Sequence, residues 1–112
     1  MHRIVITLAF LALSCSCRHN KNPLINEYLG SGYVLEATNR TEELALYDKE
    51  KEIISAPVIG YSYDESRIII FKKTKKILIM KGNGSIMETP YKDDVINRPD
   101  TDGGLKVHWY SN

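Results

Sequence analysis

Both cysteines of the chain fall in one short stretch, Leu11-Ala12-Leu13-Ser14-Cys15-Ser16-Cys17, and their thiols are the most reactive side chains it holds. Three chemistries compete for such a pair: a disulfide, a metal site or covalent modification. A bond between Cys15 and Cys17 would close a strained loop around a single residue. Two thiolates at this spacing, even with His19 close by, do not complete a tetrahedral zinc shell. Modification suits the residue type, because a thiolate attacks a lipid donor and leaves a stable thioether.

The elements around the pair give that modification a context. Met1, His2 and Arg3 make a brief, weakly basic start. Ile4 to Leu13 follow, apolar throughout except for Thr7, and then come Ser14 and Cys15. This is the three-part layout of an export signal. A stable membrane span needs about 20 apolar residues to cross roughly 30 Å of hydrocarbon, and this run is shorter. The stretch Leu11-Ala12-Leu13-Ser14-Cys15 resembles the signal of bacterial lipoproteins, in which an apolar run ends in small residues before a cysteine that is lipidated. The resemblance implies a leader over residues 1–14, cleavage that makes Cys15 the first residue, and a membrane partner reached through an N-terminal lipid anchor. It also implies a location at the cell membrane or outer membrane, facing away from the cytoplasm. Cys17 is the alternative acceptor. Ordinary signal-peptidase cleavage would instead release a soluble, secreted protein.

With 112 residues, 43% of them hydrophobic and 26% charged, the chain suffices for one ordinary globular domain. Fifteen Lys plus Arg stand against fourteen Asp plus Glu. Removing Arg3 with a leader would leave the two signs in balance, which excludes the basic excess of a nucleic-acid binder. No cysteine follows Cys17, so a domain downstream has no disulfide framework and must rely on its core.

Residues 15–27 are polar and Asn-rich, contain Pro23 and show no sustained period, as in a tether. The domain proper is expected over residues 28–112, as a mainly β fold built on a single small antiparallel sheet. Tyr33, Leu35 and Ala37 alternate against Val34, Glu36 and Thr38, and a second strand is expected around Leu44 to Asp48. Val58 to Tyr63 would carry Ile59, Tyr61 and Tyr63 on one face. The run from Arg67 to Lys72 is nearly all apolar at its centre, as in a strand buried on both sides. Asp64-Glu65-Ser66, the Lys72 to Lys76 stretch and Gly82-Asn83-Gly84 read as turns, and the whole as a meander of about five to six strands. Beyond Met87 the pattern gives an ordered loop with room for one helical turn near Asp93 to Asn97. A last strand then alternates Leu105, Val107 and Trp109 inward, with Trp109 as a core anchor.

The residues "YLGSGYVLEAT", followed by a charged turn and "VIGYSYDESRIIIF", resemble a family of uncharacterised small bacterial lipoproteins with a Gly-Tyr strand and a short β meander. That resemblance covers roughly residues 28 to 80. It implies a mostly β fold and carries over neither an activity nor a catalytic residue.

Other constellations fall short of a chemical site. Gly30-Ser31-Gly32 lacks the third Gly and the following helix of a phosphate loop, so a tight turn is expected. Asp100-Thr101-Asp102-Gly103-Gly104 lacks the third oxygen ligand of a calcium loop. His19 and His108 have no nucleophile motif beside them, and Asp93 and Asp94 point apart on a strand, so an enzyme is not expected. No cofactor and no metal site are expected. The basic residues Arg67, Lys72, Lys73, Lys75 and Lys76 bracket one hairpin, where they could touch anionic headgroups or a partner, or simply protect strand ends. The Ile59, Tyr61 and Tyr63 stripe could serve as a recognition face. The sequence therefore points to a lipid-anchored binding module of the cell envelope. The alternative is a soluble inhibitor or immunity-type protein that engages a protein partner through a strand edge or a tyrosine face.

Overall fold

The computed structural model describes residues 23–110; the expected leader, Cys15 and Cys17 lie outside them. Four strands, β1 (Ile25–Gly30), β2 (Tyr33–Ala37), β3 (Ala45–Asp48) and β4 (Lys51–Ile54), form an antiparallel meander in that order. The next four, β5 (Gly60–Tyr63), β6 (Arg67–Phe71), β7 (Lys75–Met80) and β8 (Ile86–Pro90), form a second meander. The short β11 (His108–Trp109) joins its β5 edge. A two-stranded ribbon of β9 (Thr101–Asp102) and β10 (Leu105–Lys106) completes the described residues.

The mainly β, antiparallel class is as the alternation predicts, with 51% of the structure in strands. The single sheet is not: the strands are distributed over three sheets. The chain leaves the first sheet after Ile54 and enters the second at Gly60, so the two meanders face each other instead of running on. Leu35, Leu44 and Leu46 of the first layer meet Ile68, Ile70, Ile77 and Ile79 of the second in one core, all of them at most 1% exposed. A strand with one apolar face must bury it against something, and the second layer is the available cover. The strand β2 shows this most simply, because Tyr33, Leu35 and Ala37 are buried and the residues between them are not. The predicted tether also ends earlier than residue 27, since Ile25 already pairs with Ala37.

The nearly continuous apolar run of β6 has the predicted cause. One face of the strand packs into the shared core through Ile68 and Ile70. On the other, Ile69 and Phe71 join Ile59 and Val107 in a second cluster, with Leu78, Tyr91, Leu105 and Trp109 packed around it. The C-terminal segment from Tyr91 onward is thus a strap over the outer face of the five-stranded sheet. The expected final strand is broken at Val107: β10 pairs with β9, and β11 pairs with β5. The inward trio Leu105, Val107 and Trp109 survives that break, and Trp109 anchors the second cluster, not the main core. Its indole N–H donates to the Pro99 carbonyl at 2.9 Å. Arg98 lies over its ring at 4.8 Å and pairs with Asp93 through bonds of 2.9 and 3.0 Å. The expected helical turn is a 3-10 turn at Val95–Asn97, where the Asp94 carboxylate accepts from the Ile96 N–H.

Candidate functional site

Four turns gather at one pole of the molecule: Ser31–Gly32, Lys49–Glu50, Asp64–Ser66 and the segment after Met80. The Lys49 N–H donates to the Gly32 carbonyl at 3.0 Å and ties the first two together. Between the first and the last two lies a cleft of about 610 Å³. Tyr28 and Tyr63 form its aromatic lining, Leu29, Gly30 and Ser31 contribute one rim, and Asp64, Glu65 and Lys81 the other.

Each wall follows from local chain chemistry. The register of β1 on β2 slips between Tyr28 and Gly30, which leaves Leu29 as a bulge with its side chain fully buried. Gly30 takes φ of +94° to allow it, followed by Ser31 at +57° and Gly32 at +90°. The Leu29 carbonyl, released from the ladder, accepts a short bond from the Lys81 ammonium. The same ammonium donates to the Asp64 carbonyl at 2.6 Å and lies 5.2 Å from the Tyr63 ring centroid. Lys81 therefore fastens the first sheet to two turns of the second. Asp64 closes its own turn: its carboxylate accepts from the Ser66 N–H at 2.9 Å and the Arg67 N–H at 3.0 Å. Those bonds, the Ser66 N–H foremost, hold its carboxyl below the ordinary Asp value.

Behind the cleft the tyrosines continue inward. Tyr61, only 4% exposed, stacks on Tyr63 at 6.1 Å, on His108 at 5.0 Å and on Tyr110 at 5.7 Å. Its hydroxyl donates to Glu27 at 3.3 Å. Burial, with the Tyr110 hydroxyl beside it, raises the Tyr61 phenol far above its usual value, so it remains protonated.

The expected stripe of Ile59, Tyr61 and Tyr63 is not one face. Ile59 packs into the second cluster and Tyr61 into the main core, and of the three only Tyr63 is exposed. The chain enters β5 only at Gly60, so the two-residue alternation does not extend back to Ile59. The basic group is likewise dispersed. Arg67 sits at the cleft pole, where it donates to the Gly103 carbonyl at 2.7 Å and approaches Asp64 at 3.6 Å. The other four flank the β6–β7 turn at the opposite pole, because β6 runs the length of the sheet between them. Lys72 donates to the Ser55 carbonyl at 2.6 Å, Lys75 pairs with Glu88 at 3.3 Å, and Lys76 pairs with Asp102 at 2.8 Å. Most of these charges are spent inside the fold, and Lys73 stands exposed at the turn. Asp102 is accordingly an ion-pair partner in an ordinary hairpin, with Gly103 and Gly104 at positive φ.

Sequence reasoning missed Tyr28, Glu65 and Lys81 as neighbours. The signal available was slight: a tyrosine just before a Gly-x-Gly turn, and a lysine closing an apolar strand. Among the described residues no helix is long and apolar enough to cross a membrane. Comparison with protein-family models, with curated proteins and with solved structures yields no match.

Proposed function

We propose that the chain is a bacterial lipoprotein held to a membrane through Cys15, with Cys17 as the alternative acceptor, and that its β domain acts by binding and not by catalysis. The leader layout supports the anchor. The cleft carries the binding reading, because Asp64 and Lys81 are committed to structure while its two tyrosines keep exposed ring surface. Asp64 serves its turn, and Lys81 serves two carbonyls. Tyr28 and Tyr63 remain 63% and 40% exposed on the cleft.

The geometry of the chain agrees with such a role. The Leu24 N–H donates to the Thr38 carbonyl at 3.1 Å, and Ile25 pairs with Ala37 at the pole opposite the cleft. A tether that ends there leaves the cleft on the side turned away from the anchoring surface. Intact mass of the mature protein from a bacterial host tests the anchor. The expected species starts at Cys15 and carries a diacylglyceryl thioether, and Cys15→Ser abolishes it. An unmodified first residue, or cleavage away from both cysteines, would end the lipoprotein reading.

One observation favours the second reading, a soluble inhibitor or immunity-type protein. The edge strand β8 is exposed along its whole length and presents Ile86 at 49% and Met87 at 63% exposure, a surface suited to strand addition. Co-purification of a stoichiometric protein partner together with an unmodified N terminus would support it.

A further inference from the structure

We infer that the cleft between Tyr28 and Tyr63 is a saccharide-binding site. The inference rests on the binding-module reading above and names its ligand class.

Elimination on the lining side chains leads there. An anionic ligand would meet the carboxylates of Asp64 and Glu65, and the one cation among the described lining residues, Lys81, already donates to two carbonyls. An organic cation is best held in a cage of aromatic faces, and of the two rings on the cleft that of Tyr63 already faces the Lys81 ammonium at 5.2 Å, which leaves Tyr28 alone. A fully apolar ligand would cover the carboxylates of Asp64 and Glu65 without replacing the water that hydrates them. What remains on offer is the exposed ring of Tyr28, the exposed part of Tyr63, and polar groups with capacity to spare. The hydroxyls of Ser31 and Tyr63 and the carboxylate of Glu65 make no hydrogen bond among the described residues. Tyr28 accepts from the Gly32 N–H at 3.3 Å, which leaves its phenolic proton to donate.

A sugar ring matches this set. One side of a pyranose presents C–H groups, which carry partial positive charge toward the negative face of an aromatic ring. Its rim presents hydroxyls, which donate to a carboxylate and accept from a phenol or serine. The volume of about 610 Å³ lies within the range of small-ligand clefts. The Gly30-Ser31-Gly32 turn keeps one wall low, since two of its three residues have no Cβ.

The test uses the full-length lipidated protein in a detergent without a sugar headgroup. It is titrated calorimetrically with maltotriose, cellotriose and triacetylchitotriose, and intact mass is recorded on the same sample. At least one trisaccharide should bind, and Tyr28→Ala should weaken it about tenfold or more. Tyr63→Ala should do the same. Because Tyr63 also supports Tyr61 and Lys81, the exposed Tyr28 variant decides the matter if Tyr63→Ala lowers the melting temperature. Met87→Ala, on the far edge of the second sheet, should bind as the parent does. The proposal fails if none of the three trisaccharides binds at about 10 mM, if binding is indifferent to Tyr28, or if the tyrosines are needed only for an extended peptide added along β1. A lipid-bearing mass without saccharide binding overturns this inference alone; tyrosine-dependent saccharide binding by an unmodified chain overturns only the anchor.

Discussion

Asp64 shows how much a single side chain settles at the cleft pole. Its carboxylate takes the two backbone N–H groups that the Asp64–Ser66 turn would otherwise leave unpaired, and a third bond comes from the Ser66 hydroxyl at 3.1 Å. Because these bonds depress its pKa in the folded state, the stabilisation is complete above the unfolded value of 3.8 and is lost as pH falls through the lower folded value. Asp64→Asn should therefore flatten the acid limb: the melting temperature of the parent should drop more steeply than that of the variant between pH 4 and the folded pKa. Equal slopes would show that the turn bonds do not favour the ionised form. The turn itself was legible in the sequence, since Asp-Glu-Ser between two apolar runs has a local cause. The cost carried by Lys49 and Glu50, with φ of +51° and +73°, was not, because nothing in their types signals a left-handed turn.

At the scale of elements, the C-terminal strap and the five-stranded sheet are fitted through Gly60. A Cβ on this residue would lie 2.5 Å from Cε3 of Trp109 and 3.1 Å from the His108 carbonyl. Gly60→Ala should force the indole off the sheet and cost roughly 1–3 kcal/mol, as overpacking of a filled interior does. Trp109 is the chain's only tryptophan. Chemical denaturation followed by its fluorescence reads both effects, and the expected result is a lower midpoint with red-shifted emission in the native baseline. An unchanged spectrum would mean that the strap does not seat as described. Trp109 as an apolar anchor was legible from the alternation of Leu105, Val107 and Trp109. Its partner was not, because the contact depends on β11 returning to pair with β5, whose sequence lies far upstream.

For the whole molecule, the decisive bridge is Lys81, which joins a bulge of the first sheet to a turn of the second through the carbonyls of Leu29 and Asp64. Lys81→Met keeps most of the apolar stem and removes the donors, so it should cost about 1–3 kcal/mol in urea unfolding. Lys73→Met, at an exposed turn, should stay within about 0.5 kcal/mol of the parent. Equal losses in the two would show that the ammonium does not hold the sheets together. The sequence by itself determined β2, β3, β5 and β6, the turns that follow β5 and β7, and the double burial of β6, whereas β1, β4 and β8 read as tether, charged turn and loop. Period-two alternation, turn chemistry and hydropathy are properties of neighbours along the chain. Only the tertiary structure decided that the meander divides into two facing sheets, that Ile59 parts from Tyr61, and that Tyr28 shares a cleft with Tyr63. Alternation says which face of a strand must be covered, but the covering face is chosen by burial and close packing between segments far apart in sequence.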